Sequence, residues 1–154
     1  MVGSSQSLGD EAMRPILELL EKQGGAIWSL SPDDSVFNAL EMLADWNVGA
    51  LMVMDGDKLV GVFSERDYTR KIALAGRSSK ETQVKDIMTA QVFTVTPKTS
   101  TDDCMALMSQ SKIRHLPVVD GSKVLGMVSI RDLMDDIIKD REQTITQLQN
   151  YITS

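Results

Sequence analysis

Apolar residues recur along this chain in a helical rhythm and then in short runs, and the sequence of rhythms occurs twice. Val36, Leu40 and Leu43 stand at i, i+4 and i+7, one face of a helix. Ala50–Met54 and Leu59–Phe63 follow as apolar runs of strand length around Asp55-Gly56-Asp57, a hairpin-turn signal. Farther on, Thr101, Met105 and Met108 repeat the helical spacing. His115–Val119 and Val124–Val128 then repeat the paired strands around Asp120-Gly121-Ser122. Ala26-Ile27-Trp28 and Val92–Val95 read as short strands ahead of each helix, with Pro32 and Pro97 stopping their pairing. Ser35 and Ser100 are the expected N-caps. A second helix is predicted after each hairpin. The first carries Tyr68, Ile72 and Leu74 and ends at Gly76. The other starts at Leu133 and carries Ile137, Ile138, Ile145, Leu148 and Ile152, so its outer part is long enough to pack on a partner.

A shift of 65 residues superposes 31–68 on 96–133 without a gap, with eleven of the 38 aligned positions identical. Pro32 falls on Pro97, Asp55-Gly56 on Asp120-Gly121, Gly61 on Gly126, Ser64 on Ser129 and Arg66-Asp67 on Arg131-Asp132. The chain therefore divides into a helical lead-in over 1–25, closed by Gly24-Gly25, and a first repeat over 26–76. A linker with a short amphipathic lead-in, Val84-Lys85-Asp86-Ile87-Met88, spans 77–91. The second repeat covers 92–140 and a helical extension 141–154. Met13-Arg14-Pro15-Ile16-Leu17 resembles the later lead-in. The predicted class is mixed α/β (α+β), each repeat running strand, helix, strand, strand, helix. Units of about 60 residues are small for an independent core. They are expected to pack sheet to sheet about a pseudo-two-fold axis, which creates two related clefts.

Composition narrows the chemistry. The chain has 154 residues, 42% of them hydrophobic and 25% charged, the balance of a globular domain that needs no disulfide or structural metal. A single cysteine, Cys104, and a single histidine, His115, leave no zinc-ligand spacing. A net charge of −6 argues against nucleic acid as a partner, because phosphate binding needs a basic stripe. No apolar run approaches the roughly 20 residues of a membrane span. Met1–Gln6 has neither the basic nor the apolar region of a secretion signal, so the expectation is a cytoplasmic protein with a reduced thiol and no membrane partner. Cys104 aligns with Ala39 on an inner helix face and reads as core, as do most of the ten methionines.

The repeated polar signature is Gly61-Val62-Phe63-Ser64-Glu65-Arg66-Asp67 and Gly126-Met127-Val128-Ser129-Ile130-Arg131-Asp132, spanning a strand end and a helix start. One reading is structural: the serine caps the helix and the aspartate stands in its first turn, where the dipole favours it. The other is nucleotide binding. A hydroxyl and free N–H groups at a helix start suit a phosphate, and an aspartate one turn on can accept both hydrogen bonds of a ribose diol. Capping accounts for the serines but less well for the twinned Arg-Asp.

These residues, with Thr94-Val95-Thr96-Pro97 and Ile113-Arg114-His115-Leu116-Pro117-Val118-Val119-Asp120, carry a resemblance. Each repeat resembles a cystathionine β-synthase (CBS) domain, and the pair resembles a stand-alone Bateman module over about residues 13–140. The resemblance implies regulatory binding of an adenosine-containing ligand, AMP foremost, with ADP, ATP, NAD or S-adenosylmethionine as alternatives, and no catalytic cofactor. It also implies composite clefts. One would join Ser64, Arg66 and Asp67 to Thr96, Ile113, Arg114 and His115. The other would join Ser129, Arg131 and Asp132 to Ser31, Val48, Gly49 and Ala50. Adenine is expected between apolar side chains such as Ile113 or Val48. Arg114-His115 in one repeat stands where the other has Gly49-Ala50, so unequal sites are expected, the first holding phosphate better. The functional expectation is a nucleotide sensor, homodimeric as the family's disc-shaped dimers imply, signalling to an unknown protein effector. The competing reading is a dimeric scaffold with vestigial clefts. An enzyme has no base–nucleophile pair or metal cluster to support it.

Overall fold

The computed structural model describes residues 15–22 and 28–153, and the backbone alone at residues 144 and 151–153. The expected elements at Met13-Arg14, Gly24-Gly25 and Ala26-Ile27, and the side chain of Ile152, lie outside the described residues.

In chain order the elements are α1 (Leu17–Lys22), β1 (Ser29–Leu30), α2 (Val36–Trp46), β2 (Ala50–Asp55), β3 (Lys58–Ser64) and α3 (Glu65–Tyr68). A π-helical turn over Thr69–Ala73 extends α3, and a 3-10 turn over Val84–Asp86 follows. The second repeat supplies α4 (Thr101–Ser111), β4 (His115–Asp120), β5 (Lys123–Ser129) and α5 (Ile130–Thr153). Ser35 and Ser100 cap α2 and α4, accepting hydrogen bonds from the Asn38 and Asp103 amides at 3.0 Å each. Both helices stop at residues with left-handed backbone, Asn47 (φ 52°) and Lys112 (φ 55°), which are equivalent under the 65-residue shift.

The first sheet runs β1-β2-β3 and the second β4-β5. The hairpins share one register: Val53 opposes Gly61 and Met54 opposes Leu59, as Val118 opposes Gly126 and Val119 opposes Val124. Val60 and Leu125 are thus bulged out at matching positions. β1 pairs in parallel with β2, Leu30 opposite Val53. The expected strand over Val92–Val95 is reduced to its last residue, a single parallel bridge from Val95 to Val118. Leu74, expected on an apolar helix face, is 78% exposed because the π-helical turn ends the helix at Ala73, ahead of it.

Each repeat has its own core. Leu51, Val53 and Phe63 pack with Val36, Ala39, Leu43 and Ile72; Leu116, Val118 and Val128 pack with Cys104, Met108 and Leu133. Alternate residues of β2, Ala50 and Met52, are also buried, which turns the other face of that sheet toward the second repeat. Val62 and Pro117 line one shared cleft and Ala50 and Met127 another, as sheet-to-sheet packing requires.

The lead-ins behave in a way their position in the sequence does not announce. Ile16, Leu19 and Leu20 precede the first repeat but belong to the core of the second, and the Ile16 amide donates to the Thr99 carbonyl at 3.0 Å. Val84 and Ile87 precede the second repeat but belong to the core of the first. The Val84 amide donates to the Asp34 carbonyl at 2.8 Å, and Val62 and Thr89 exchange two backbone bonds of 2.9 Å. Each lead-in lies across the signature glycine of the repeat it covers. A Cβ at Gly61 would stand 2.6 Å from Met88 Sδ and 3.0 Å from the Thr89 carbonyl oxygen; one at Gly126 would stand 3.1 Å from Leu20 Cδ2.

A methyl group at Gly61 must displace backbone as well as a flexible side chain. Overpacking of this kind costs roughly 1–3 kcal/mol. Gly61→Ala is therefore expected to lower the melting temperature by several degrees in a thermal melt, and an unchanged melting temperature would mean that the 84–89 segment yields freely.

Candidate functional site

Two of the clefts between the repeats gather the helix-start signatures. The first, of about 490 Å³, is lined from the first repeat by Ser64, Glu65, Arg66 and Asp67 and from the second by Ile113, Arg114 and His115. Thr89, Gln91, Val92 and Phe93 add to its wall. The second, of about 840 Å³, is lined by Ser129, Ile130, Arg131 and Asp132 against Val48, Gly49 and Ala50, with Trp28 and Trp46 beside them. Of the residues expected from sequence, these clefts gather all but Thr96 and Ser31, which line neither. Those two sit instead at the turns before α4 and α2, where the Thr96 amide donates to Thr99 Oγ1 at 3.1 Å and the Ser31 amide to Asp34 Oδ2 at 2.9 Å.

The helix-start signature works as a reciprocal cap. Ser64 Oγ accepts from the Asp67 amide at 3.2 Å, and Asp67 Oδ2 accepts from the Ser64 amide at 3.0 Å and from Ser64 Oγ at 3.1 Å. Ser129 and Asp132 repeat the amide pair at 3.1 and 2.9 Å. Capping and ligand reading are thus compatible, because the cap engages one oxygen of Asp67 and leaves the other facing different partners. Asp67 Oδ1 accepts from Thr89 Oγ1 at 3.0 Å and pairs with Lys71 Nζ at 3.2 Å. Asp67 as a whole is only 6% exposed, and its carboxylate takes its hydrogen bonds from hydroxyls, an amide and an ammonium. Arg66 reaches across the repeats, its Nη1 donating to the Lys112 carbonyl at 2.7 Å, which ties α3 to the end of α4.

Gly49, Glu65, Arg114 and His115 line both clefts and so form the partition between them. Gly49 lets the imidazole approach closely there: a Cβ would stand 3.3 Å from His115 Cε1, so the ring would have to give by a few tenths of an ångström. Arg114 and His115, placed from sequence in the first cleft with Arg114 able to reach across the axis, border both clefts. His115 is held below its ordinary value of 6.5, chiefly by burial; Asp132 opposes that shift and Arg114 reinforces it. Burial likewise pushes the Cys104 thiol up to about 11, with Asp103 adding to the effect, so it stays a protonated core residue.

Sequence reasoning missed Thr89, Phe93, Trp28 and Trp46. Phe93 and Trp28 were accessible to it, since the 65-residue shift pairs them. Thr89 was not, because it falls in the linker and only the packing of 84–89 on β3 brings it to Asp67.

A profile of the CBS domain matches residues 25–74 and again 84–139. The chain belongs to the CBS domain family. The CBS domain-containing protein CBSX3 of Arabidopsis thaliana, mitochondrial by name, is 40% identical over 134 residues, covering 84% of this chain and 65% of that protein. The chain thus spans slightly under two thirds of that relative. The crystal structure of the CBS domain NE2398 is 48% identical, with a TM-score of 0.78, covering 82% of this chain and 98% of that one. A Burkholderia ambifaria protein with CBS domains, assigned to signal transduction by name alone, is 45% identical with a TM-score of 0.79 over 82% of this chain and 95% of its own. The pair of repeats is therefore a tandem CBS arrangement with the fold of solved CBS pairs. Among the described residues no helix is long and apolar enough to cross a membrane.

The partition gives a pH prediction. Because His115 takes up its proton less readily folded than unfolded, the unfolded chain binds more protons below about pH 6.5, and stability falls as pH falls through that window. Melting temperatures should drop more steeply between pH 7 and 5 for the wild type than for His115→Gln, and parallel curves would show that the imidazole is not held neutral.

Proposed function

We propose that this CBS pair is a non-catalytic regulatory module whose inter-repeat clefts bind an adenine nucleotide, AMP foremost, and transmit occupancy to a separate protein. The observation that carries the reading is the environment of Asp67. A buried carboxylate at a helix start accepts two rotatable hydroxyls, Ser64 Oγ and Thr89 Oγ1, inside a cleft of about 490 Å³. A ribose diol offers the same pair of O–H donors and can take their places, with the carboxylate remaining fully hydrogen-bonded. Arg114, bordering both clefts, supplies a cation to the phosphate in a chain of net charge −6. ADP, ATP, NAD and S-adenosylmethionine share the adenosine group and are the alternatives. A sensor also needs its ligand to prefer one arrangement of the repeats, since equal affinity for two arrangements shifts neither. Arg66 bound to Lys112 and His115 against Gly49 are contacts between the repeats that a ligand in these clefts would meet.

Isothermal titration of AMP into wild-type protein and Asp67→Asn tests this. The substitution keeps the shape and removes the charge; hydrogen bonds to a charged group contribute about 1.5–3 kcal/mol. Affinity for AMP should fall on the order of tenfold or more, while 2′,3′-dideoxy-AMP should bind both proteins alike. Equal loss for both ligands would mean Asp67 acts on the fold and not on the diol, and wild-type protein silent toward all the adenosine ligands would leave the scaffold reading.

A homodimer is part of the proposal. Met134, Ile138, Ile145 and Leu148 form one stripe along α5 and are 47–57% exposed. Their spacing of four, seven and three residues matches a helix–helix seam. Sedimentation should give a dimer for the wild type, and Ile145→Glu with Leu148→Glu should give a folded monomer; a wild-type monomer overturns the assembly.

A further inference from the structure

The chain has two tryptophans, and both line the second cleft. Their ring centroids are 6.2 Å apart with planes tilted by 37°, a contact too close to admit a third ring between them. The repeat itself supplies the control. The 65-residue shift pairs Trp28 with Phe93 and Trp46 with Ser111, and those two line the corresponding wall of the first cleft. One cleft therefore has two indoles where the other has a phenyl ring and a hydroxyl.

The tryptophans differ in how they are held. Trp28 packs against the core of the first repeat. Trp46 is the last residue of α2 and remains 41% exposed, although its neighbours in the cleft, Leu43 and Ala50, are buried. Completing a core does not require an indole left so open to water. Its apolar face is recovered only when something flat covers it. Ser129, Arg131 and Asp132 line the same cleft, so a ligand with an aromatic face and a polar, hydroxyl-bearing portion meets matching groups on both sides.

We propose that the second cleft is a base-stacking site in which the exposed indole of Trp46, backed by Trp28, forms a platform for the planar ring of a purine nucleoside. This rests on the adenine-nucleotide reading above and adds a division of labour. Both clefts are lined by two arginines, so the difference lies in the base: the platform gives it a larger share of the affinity in the second cleft, and adenosine keeps more of AMP's affinity there than in the first. Purines are favoured over pyrimidines because ring overlap with the platform is larger. The first cleft, without that platform, depends on the sugar and phosphate.

Because both tryptophans lie in one cleft, intrinsic emission reports that cleft alone. The full-length protein is titrated with adenosine and with AMP, with tryptophan emission and calorimetric heat recorded on the same samples. Adenosine is expected to change the emission, with a smaller loss of affinity relative to AMP than the heat from the first cleft shows. Trp46→Ser, which installs the residue of the other repeat, should weaken adenosine about tenfold or more, as loss of base–aromatic stacking does. Trp46→Phe, which keeps a ring, should recover most of the affinity and guards against loss by misfolding. Phe93→Ala should leave the emission-detected event unchanged. Heat of AMP binding without a change in emission, or Trp46→Ser binding adenosine as wild type does, overturns the platform and leaves the nucleotide reading standing. Wild-type protein that gives heat with no adenine ligand overturns both.

Discussion

The approach of Met88 and Thr89 over Gly61 connects the architecture of this CBS pair to its candidate chemistry. Without a side chain at Gly61, the 84–89 segment comes close enough for Thr89 and Val62 to exchange two 2.9 Å backbone bonds, and the same residue then hands its hydroxyl to Asp67. Backbone geometry and site geometry are set by one contact. Gly126 under Leu20 plays the matching part on the other side, so each lead-in covers a repeat that it does not introduce. Ile16, Leu19 and Leu20 stitch the beginning of the chain to the second repeat, which makes the two small cores interdependent. Repeats of about 60 residues bury too little surface to stand well alone, and this exchange supplements each core.

The capping boxes show how one set of atoms serves two ends. Ser64 and Asp67 satisfy amides that α3 would otherwise leave unpaired, while the second oxygen of Asp67 faces Thr89 and Lys71. A cap of this kind stabilises by about 1 kcal/mol, and it fixes the carboxylate before any ligand arrives. A preorganised carboxylate loses little conformational freedom on binding.

Pseudo-symmetry makes the clefts alike in their helix starts and unlike in their walls. His115 lies against Gly49, so the larger side chain of one repeat fills the space the other leaves. Glu65 and Arg114 flank both openings, and the charge in the partition is therefore common property. The clefts diverge at the far wall, where one has two indoles and the other a phenyl ring and a hydroxyl. A duplicated unit thus presents two different walls on one frame.

Sequence alone determined the repeat, the order of elements, the hairpins and the caps, because these are local: a 3.6-residue period, an Asp-Gly turn or a serine three residues before an amide needs no distant partner to be read. It also determined the helix-start residues of both clefts, since Ser-x-Arg-Asp lies within one turn. Tertiary structure decided what depends on segments far apart in the chain. Only packing carries Val84–Thr89 onto β3 and Ile16–Leu20 onto β5, and so only packing brings Thr89 to Asp67. The second repeat's first strand shrank to Val95 because the remaining backbone of 92–94 runs outside the sheet. Thr96 and Ser31 match the family pattern in sequence, yet they close local turns beside α4 and α2. The shared partition of Gly49, Glu65, Arg114 and His115 has the same origin: a wall between two repeats belongs to neither sequence, and it exists only once the sheets meet.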